Sequence, residues 1–550
     1  MKKIVECVPN FSEGRDLKVI EKITDEIKKA GAELLDVDPG KDTNRTVVTF
    51  AGEADAVIEA AFQAIKKAAE LIDMSKHKGE HPRMGATDVC PLVPVSGITM
   101  EECVELTKKL GQRVAEELKI PVYLYEYAAT SKERRSLAYI RQGEYEALPE
   151  KLKQEKFKPD FGKPVFNAKA GATVIGAREF LIAYNINLNT RNVKIARKIA
   201  NRIREKGRKV KDKETGERVE VPGTLKNVRG MGWYIEEYNM AQLSFNILNY
   251  KTTPVYRVFE EAEKFAREYG VRVTGSELVG LIPLDAVLDC GRHFLKKQGS
   301  TTGVAESEFI RVAVHTMGME EVSEFNAEDK IIEYRLRTKG RLASMDIYEF
   351  ADELASDSPA PGGGSVAALN GTLSAGLSSM VGNLTYNKRG YKEVKQIMIE
   401  LSDKAQRLKD FFTESIDRDT EAFNKLMDAF SLPKGTDEEK ALRDKAIMDA
   451  TKEATLVPFA VLEKTKEAAE LALTVVEKGN QNSLSDAGVA GLTAAAAAEG
   501  ALYNVMINLE GIDDEEFNQE TAKKAVKINK EVQKIVTKIK SILHEKLKIK

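Results

Sequence analysis

The sequence predicts an α/β protein with an all-α extension: two βαββαβ-type α/β lobes with a cleft between them, followed by a C-terminal helical bundle. Three observations carry this expectation. Strand-like and helix-like segments alternate up to residue 178, the same order of elements recurs from Arg178, and strand alternation is absent after Met345.

The first lobe, residues 1–178, reads as the strand KKIVECVPNF, the helix LKVIEKITDEIKKA, the strands AELLDVD and NRTVVTFAG, and the helix ADAVIEAAFQAIKKAAELI. The strand TDVCPLVPV, the helix MEECVELTKKLGQRVAEEL and the strand PVYLYEY follow, giving a βαββαβ core with additions. The second lobe, residues 179–325, repeats the order: EFLIAYNINL, the helix NVKIARKIANRIREK, strands in TLKNVRGMGWYIEEY and MAQLSFNILNY, the helix VYRVFEEAEKFAREYG and the strand VRVTGSELVGLI. The polar stretch GRKVKDKETGERVEVPG within it reads as an exposed hairpin or loop. A charged linker is expected over residues 326–344, and an all-helical domain over 345–550. Its runs VAALNGTLSAGLSSMVG and GVAGLTAAAAAEGALYNV carry small residues that let helix backbones approach closely.

Composition narrows the function. Lys plus Arg (84) nearly cancel Asp plus Glu (86), and no basic block interleaved with aromatics is present, so neither nucleic acid nor an anionic membrane is the expected partner. The start MKKIVECVPNFSEG turns polar too early for a signal peptide, and no apolar run is long enough to span a bilayer; a cytoplasmic protein acting on small molecules is expected. Cys7, Cys90, Cys103 and Cys290 lack CxxC spacing, which argues against a disulfide framework or a zinc knuckle.

Only five histidines occur, and two of them, His77 and His81, share the loop DMSKHKGEHPRMGATD. Metal binding by an i, i+4 pair requires a helix, which Gly79 and Pro82 oppose, so no metal is expected. The remaining readings are a solvated loop histidine and a general acid/base, with Arg83 and Lys76 placed to hold a carboxylate. The loop also carries Glu80 and Asp88, while Asp36 and Asp38 end the strand of LLDVDPG, from which a carboxylate could orient an imidazole.

ECVPNFSEG, LLDVDPG, TNRTVVTF, DMSKHKGEHPRMGATDVCPLVPV, AEELKIPVYLYEYA and GEYEALPEKLK together resemble the formiminotransferase family, from Met1 to about Val287. The resemblance implies that His81 is the catalytic acid/base, assisted by Asp38, with His77 in support. It implies that folate contacts Gly162, Lys163, Pro164, Val165, Phe166, Asn167, Ala168, Lys169, Ala170 and Gly171. Thr87 stands where some relatives are expected to carry an apolar residue.

In the helical half, Gly362, Gly363, Gly364 and Ser365 lead into an apolar helix, an arrangement that offers backbone N–H groups to an anion or to a close ligand. Leu401, Ala405, Leu408, Phe412, Ile416, Phe423 and Leu426 form one helical stripe, and Asp419 falls on it while Asp417 does not. Such an acid is either a buried structural partner or a proton carrier. APGGGSVAAL, SSMVGNLTY, IDRDTEAF, SLSDAGVA and NVMINL resemble the formimidoyltetrahydrofolate cyclodeaminase family over about Met345 to Leu543, which implies that Asp419 is catalytic. Ser485 and Asp486 are either part of that site or helix-capping residues.

The two resemblances together imply transfer of a formimino group from N-formimino-L-glutamate to tetrahydrofolate, with or without a polyglutamate tail, then cyclisation with loss of ammonia, in histidine degradation. They also imply a homodimer or higher homo-oligomer. A methenyltetrahydrofolate cyclohydrolase, a non-catalytic oligomerisation scaffold for the helical half, and a zinc hydrolase at His77 and His81 are the competing readings.

Overall fold

The computed structural model describes residues 3–41, 43–79, 81–211, 217–336 and 340–549, so Glu80, the tip of the polar stretch (212–216) and residues 337–339 lie outside the described residues. Two compact units result: Met1–Cys290 with Ala313–Arg337, and Gly291–Val312 with Thr338–Lys550.

The first unit begins with β1 (Ile4–Cys7), β2 (Asn10–Phe11), α1 (Leu17–Lys29), β3 (Glu33–Gly40), β4 (Arg45–Glu53), α2 (Ala54–Leu71), β5 (Thr87–Ser96), α3 (Met100–Leu118) and β6 (Val122–Glu126). Short helices α4 (Leu137–Ile140) and α5 (Leu148–Lys151) precede β7 (Thr173–Ala177). The expected single strand KKIVECVPNF is broken at Val8-Pro9, since proline has no N–H for the ladder, and β1 and β2 both lie between β4 and β5. The sheet runs β3-β4-(β1, β2)-β5-β7-β6, antiparallel up to β5 and parallel among β5, β7 and β6.

A second sheet is built from β8 (Ile182–Leu188), α6 (Val193–Ile203), an outlying pair β9 (Arg208–Lys211) and β10 (Arg218–Val221), then β11 (Val228–Ile235), β12 (Met240–Ile247), α7 (Val255–Glu268) and β13 (Val273–Val279). Its order, β11-β12-β8-β13, is that of β3-β4-β1-β5 in the first sheet. Each is the split βαβ arrangement expected from the element order.

Local chemistry accounts for the helices that cover the first sheet. Asp16 caps α1 by accepting from the Lys18 N–H, Ile20, Ile23 and Ile27 bury one face, and Gly31 at φ +83° turns the chain out. Thr99 and Glu102 form a capping box on α3. Val5, Cys7, Val48, Phe50, Phe62 and Ile65 close the core beneath them. All four cysteines are buried and free.

Next come α8 (Leu284–Lys297), α9 (Glu306–Met317), α10 (Ala327–Lys330) and α11 (Ile332–Leu336). Here the structure differs from the expected linker. Residues 327–336 are helical and bound to the first unit: Ile282 bridges Ile331, and Arg335 Nη1 donates to the Leu35 carbonyl at 2.8 Å. Asn326 caps α10, which a charged surface stretch concealed.

The helical unit contains α12 (Ile347–Leu354), α13 (Gly363–Tyr386), α14 (Lys395–Phe430), α15 (Asp437–Lys478), α16 (Leu484–Leu509) and α17 (Glu515–Leu547). The small residues act as expected. A Cβ on Gly371 would stand 2.6–2.8 Å from the Phe412 ring of α14, and one on Gly491 would stand 2.9 Å from Ile539 of α17. Leu401, Ala405, Leu408, Phe412 and Ile416 are buried, but Phe423 and Leu426 are only half-buried, and the buried face continues instead through Ala422 and Ala429.

Replacing Gly371 by Ala should destabilise the bundle by about 1–3 kcal/mol through overpacking against Phe412. Urea unfolding followed by circular dichroism measures this; an unchanged midpoint would show that the ring yields freely.

Candidate active sites

His81 lies between α2 and β5 and is half-buried. Its Nε2 stands 3.0 Å from Arg45 Nη1, the same nitrogen that donates to Asn10 Oδ1 at 2.7 Å. Its Nδ1 is buried and makes no hydrogen bond of normal geometry among the described residues, the Pro82 backbone being its nearest polar neighbour. Burial, followed by the positive charges of Arg45 and Arg141, holds the His81 pKa below its ordinary value, so the ring is neutral at neutral pH.

His77 has a structural place. Its Nε2 meets the Asn44 carbonyl at 2.9 Å and its Nδ1 accepts from Arg83 Nε at 3.2 Å, so protein atoms occupy both ring nitrogens. Arg83 is not available to a substrate, contrary to the expectation: it is 8% exposed and its guanidinium is spent on Glu144 at 3.0 Å, Glu146 at 2.7 Å and His77. Lys76 pairs with Asp73 at 3.0 Å.

Asp38 also requires correction as a direct partner of the imidazole. It sits at an exposed position of β3, opposite Val47, and neither ring nitrogen of His81 bonds to it. The group on Nε2 is Arg45, and Asp38 acts on Arg45 only as one of its attracting charges.

Asp88 and Arg141 complete the surroundings. Buried Asp88 takes the Met84 N–H at 2.9 Å and a hydrogen bond from Arg141 Nη2, which fixes the end of the histidine loop; burial raises its pKa. Lys151, 3% exposed, donates to the carbonyls of Ile140 and Gln142 on either side of Arg141, and burial pulls its pKa down to about 8.

Arg45 and Arg141 line a cavity of about 960 Å³, together with Arg135, Arg178, Arg229 and Lys132. Among the described residues, only Glu126 and Glu179 oppose these cations on its wall. Glu6, buried near Arg178, is pushed up to about 7 by burial and so cancels only part of that charge at neutral pH. The cavity therefore favours an anionic ligand. Asn227, Arg229, Leu248 and Asn249, beside or within β11 and β12, also line it.

The loop Gly162–Gly171 is not among the residues lining this cavity, but its end touches the histidine loop. Ala172 N–H donates to the Met84 carbonyl, Ala86 N–H to the Ala170 carbonyl, and Gly85 bridges Gly171. Gly171, at φ +70°, has no room for a Cβ against Met84. Val165 is 63% exposed, whereas Phe166 packs on Tyr145 at 5.4 Å. Thr87 is buried with its hydroxyl unpartnered.

In the helical unit the glycine-rich helix start meets an anion of the chain itself. The Asp419 carboxylate lies against Gly364, where a Cβ would overlap it. It accepts from the Ser365 backbone N–H and stands 3.4 Å from Ser365 Oγ, which also donates to the Ile416 carbonyl at 2.8 Å. Burial outweighs these bonds and raises the Asp419 pKa. Asn504 of α16 lies near Gly363, its Nδ2 3.2 Å from where a Cβ would stand. Asp417 instead accepts the N–H groups of Leu342 and Ala343 at 2.8 and 2.9 Å.

Ser485 and Asp486 do not join this group within one chain. They lie in the first turn of α16. Asn504 is 18 residues beyond Asp486, roughly 27 Å along the axis. Sequence reasoning missed Arg45, Arg141 and Asn504, although each lies within or beside a quoted motif.

A neutral histidine bonded to a cavity-lining arginine and a desolvated carboxyl against a helix start are two separate groups suited to acid/base chemistry, the pattern of a two-part enzyme. Family models match in succession: "Formiminotransferase domain, N-terminal subdomain" over residues 4–178, "Formiminotransferase domain" over 183–337 and "Formiminotransferase-cyclodeaminase" over 346–527. The chain is 44% identical over 549 residues to formimidoyltransferase-cyclodeaminase of Dictyostelium discoideum, covering 99% of each. It is 44% identical over 525 residues to the protein of that name from Mus musculus, covering 95% of each. Over 177 residues it is 43% identical to methenyltetrahydrofolate cyclohydrolase of Methylorubrum extorquens, covering 32% of this chain and 85% of that one. The chain belongs to the formimidoyltransferase-cyclodeaminase family.

The His81 ring should titrate below pH 6.5, the ordinary histidine value, and be neutral through most of the range above it. Nitrogen-15 NMR of the imidazoles, assigned with His81→Gln, reads this directly; a midpoint at or above 6.5 would contradict the geometry.

Proposed function

We propose that this chain transfers the formimino group of N-formimino-L-glutamate to tetrahydrofolate and then cyclises the product, with His81 serving the first step and Asp419 the second. The observation that carries the reading is the union, in one chain, of a neutral desolvated histidine next to a cationic cavity and a desolvated carboxyl. It occurs in a sequence aligned over 99% of its length with a formimidoyltransferase-cyclodeaminase.

In the first step nitrogen 5 of tetrahydrofolate attacks the amidine carbon. The new C–N bond gives a tetrahedral carbon, and the bond to the glutamate nitrogen then breaks. His81 takes the proton from the attacking nitrogen and returns it to the leaving one, so glutamate departs as an amine. Such proton transfer contributes about 10²–10⁴-fold. The cavity guanidiniums receive the carboxylates of glutamate and of the folate tail. Asp38 supports His81 through Arg45, and the exposed part of Gly162–Gly171 contacts the pterin-bearing substrate. The cavity is the cleft between the two α/β lobes in this reading.

In the second step nitrogen 10 attacks the formimino carbon, closing the ring. The imine nitrogen collects its own hydrogen, the proton of nitrogen 10 and one further proton, and leaves as ammonia, with 5,10-methenyltetrahydrofolate remaining. A carboxyl with a raised pKa is suited to carry those protons.

The functional divisions proposed are 1–178 and 179–325 for the two transferase lobes, with residues 327–336 packed onto the first of the two units, and 345–550 for cyclodeamination. Among the described residues no helix is long and apolar enough to cross a membrane, in keeping with a cytoplasmic enzyme of histidine degradation. A homodimer or higher homo-oligomer is supported by exposed Leu373, Met380 and Leu384 on α13 and Val489, Leu492 and Ile507 on α16.

One assay tests the reading: formiminoglutamate and tetrahydrofolate are supplied, and methenyl-folate absorbance and ammonia are followed together. Wild type should yield both, His81→Ala neither, and Asp419→Asn should accumulate 5-formimidoyltetrahydrofolate. The similarity to a methenyltetrahydrofolate cyclohydrolase favours a second reading of the helical half, in which formiminoglutamate is consumed without ammonia release. Gly364→Ala, which displaces the Asp419 carboxylate, should spare the first step and slow the second by about 10²-fold or more. An unchanged second step in both Asp419→Asn and Gly364→Ala would mark the bundle as a scaffold.

A further inference from the structure

We infer that Arg45 binds the α-carboxylate of the formimino donor and, in turning to it, uncovers the His81 nitrogen that acts as the base. This inference rests on the proposal that formiminoglutamate reacts at His81.

A guanidinium has no lone pair to offer. The 3.0 Å contact between Arg45 Nη1 and His81 Nε2 is therefore N–H donation into the Nε2 lone pair, and the ring proton of the neutral imidazole resides on Nδ1. Nδ1 is buried, and among the described residues only the Pro82 backbone is near enough to interact with it. In this arrangement one ring nitrogen is covered and the other already carries its proton. Neither can accept a proton until Arg45 moves.

Arg45 has reason to move. Among the described residues no carboxylate forms an ion pair with it; its other acceptor is the neutral Asn10 Oδ1. Asp88 and Asp38 attract it only at longer range, Arg141 repels it, and burial costs it solvation. A cation in that position, on the wall of a cavity, gains most from an arriving carboxylate.

The donor's own structure makes the exchange productive. In N-formimino-L-glutamate the α-carbon bears both the α-carboxylate and the nitrogen that must leave. Capture of the carboxylate at Arg45 therefore brings the leaving nitrogen to the imidazole from which Arg45 has just withdrawn. Pairing of the Arg45 charge also makes His81 a stronger base at that moment. Among the described residues, the charged groups that face His81 are Arg45 from β4, Arg141 from the turn after α4, and Glu144, itself bound to Arg83; Asp38 of β3 and Asp88 of β5 act through the two arginines.

The test uses the full chain as wild type, Arg45→Lys and Arg45→Met. Arg45→Met should raise KM for formiminoglutamate by about tenfold or more, the loss of a hydrogen bond to a charged group, while KM for tetrahydrofolate stays as it is. The acid limb of kcat/KM should move to higher pH in Arg45→Met, and Arg45→Lys should restore it. In nitrogen-15 NMR of wild type, L-glutamate should move the His81 Nε2 signal to that of an imidazole nitrogen without a donor. 4-Aminobutanoate, which lacks the α-carboxylate, should leave it in place. An unshifted Nε2 signal with glutamate, or an unchanged donor KM and acid limb in Arg45→Met, overturns the inference while wild-type turnover still supports the function. A wild type that does not consume formiminoglutamate overturns both.

Discussion

Loss of hydration at an ionisable group sets the chemistry of both sites, in opposite directions. Burial disfavours whichever form is charged. At His81 this lowers the pKa and leaves a neutral base, and the guanidiniums of Arg45 and Arg141 reinforce the effect. At Asp419 it raises the pKa and leaves an acid that keeps its proton longer, with the Ser365 N–H and the nearby Ser365 hydroxyl only partly opposing it. One physical effect thus leaves a neutral imidazole in one place and a carboxyl with a raised pKa in the other, the pair that the proposed function uses as proton acceptor and proton donor.

The backbone creates these dry positions through close approaches that admit no side chain. Gly364 leaves the space that the Asp419 carboxylate fills, and Gly85 and Gly171 meet where the histidine loop enters β5. The polar groups around each site are themselves held in place. Asp88 ties Arg141 to the Met84 N–H, Lys151 holds the carbonyls on both sides of Arg141, and His77 holds Arg83. The sites are therefore consequences of packing several residues away from the reacting groups.

The architecture is legible in the sequence where periodicity is strong. The βαββαβ order of both sheets and the helical half follow from alternation and from 3.6-residue stripes, and one such stripe by itself singles out Asp419. Tertiary pairings are not legible. Nothing in a single sequence shows that Arg45, at the start of a strand, lies 3.0 Å from His81, or that Glu144 and Glu146 consume the guanidinium of Arg83. Residues 327–336 resemble a linker because their charges are frequent, but Asn326 caps a helix and Arg335 reaches the backbone of Leu35. Ser485 and Asp486 share a motif-rich helix with Asn504, yet helix rise alone separates them from it.

In the proposed function one nitrogen travels from glutamate's formimino group to folate at His81 and then to ammonia at the Asp419 site. A single-turnover reaction with the donor labelled with nitrogen-15 at its imine position follows that atom directly. The label should appear first on 5-formimidoyltetrahydrofolate and then quantitatively in ammonia, with none in glutamate. Label retained on the folate, or released as formamide, would contradict the two-step account.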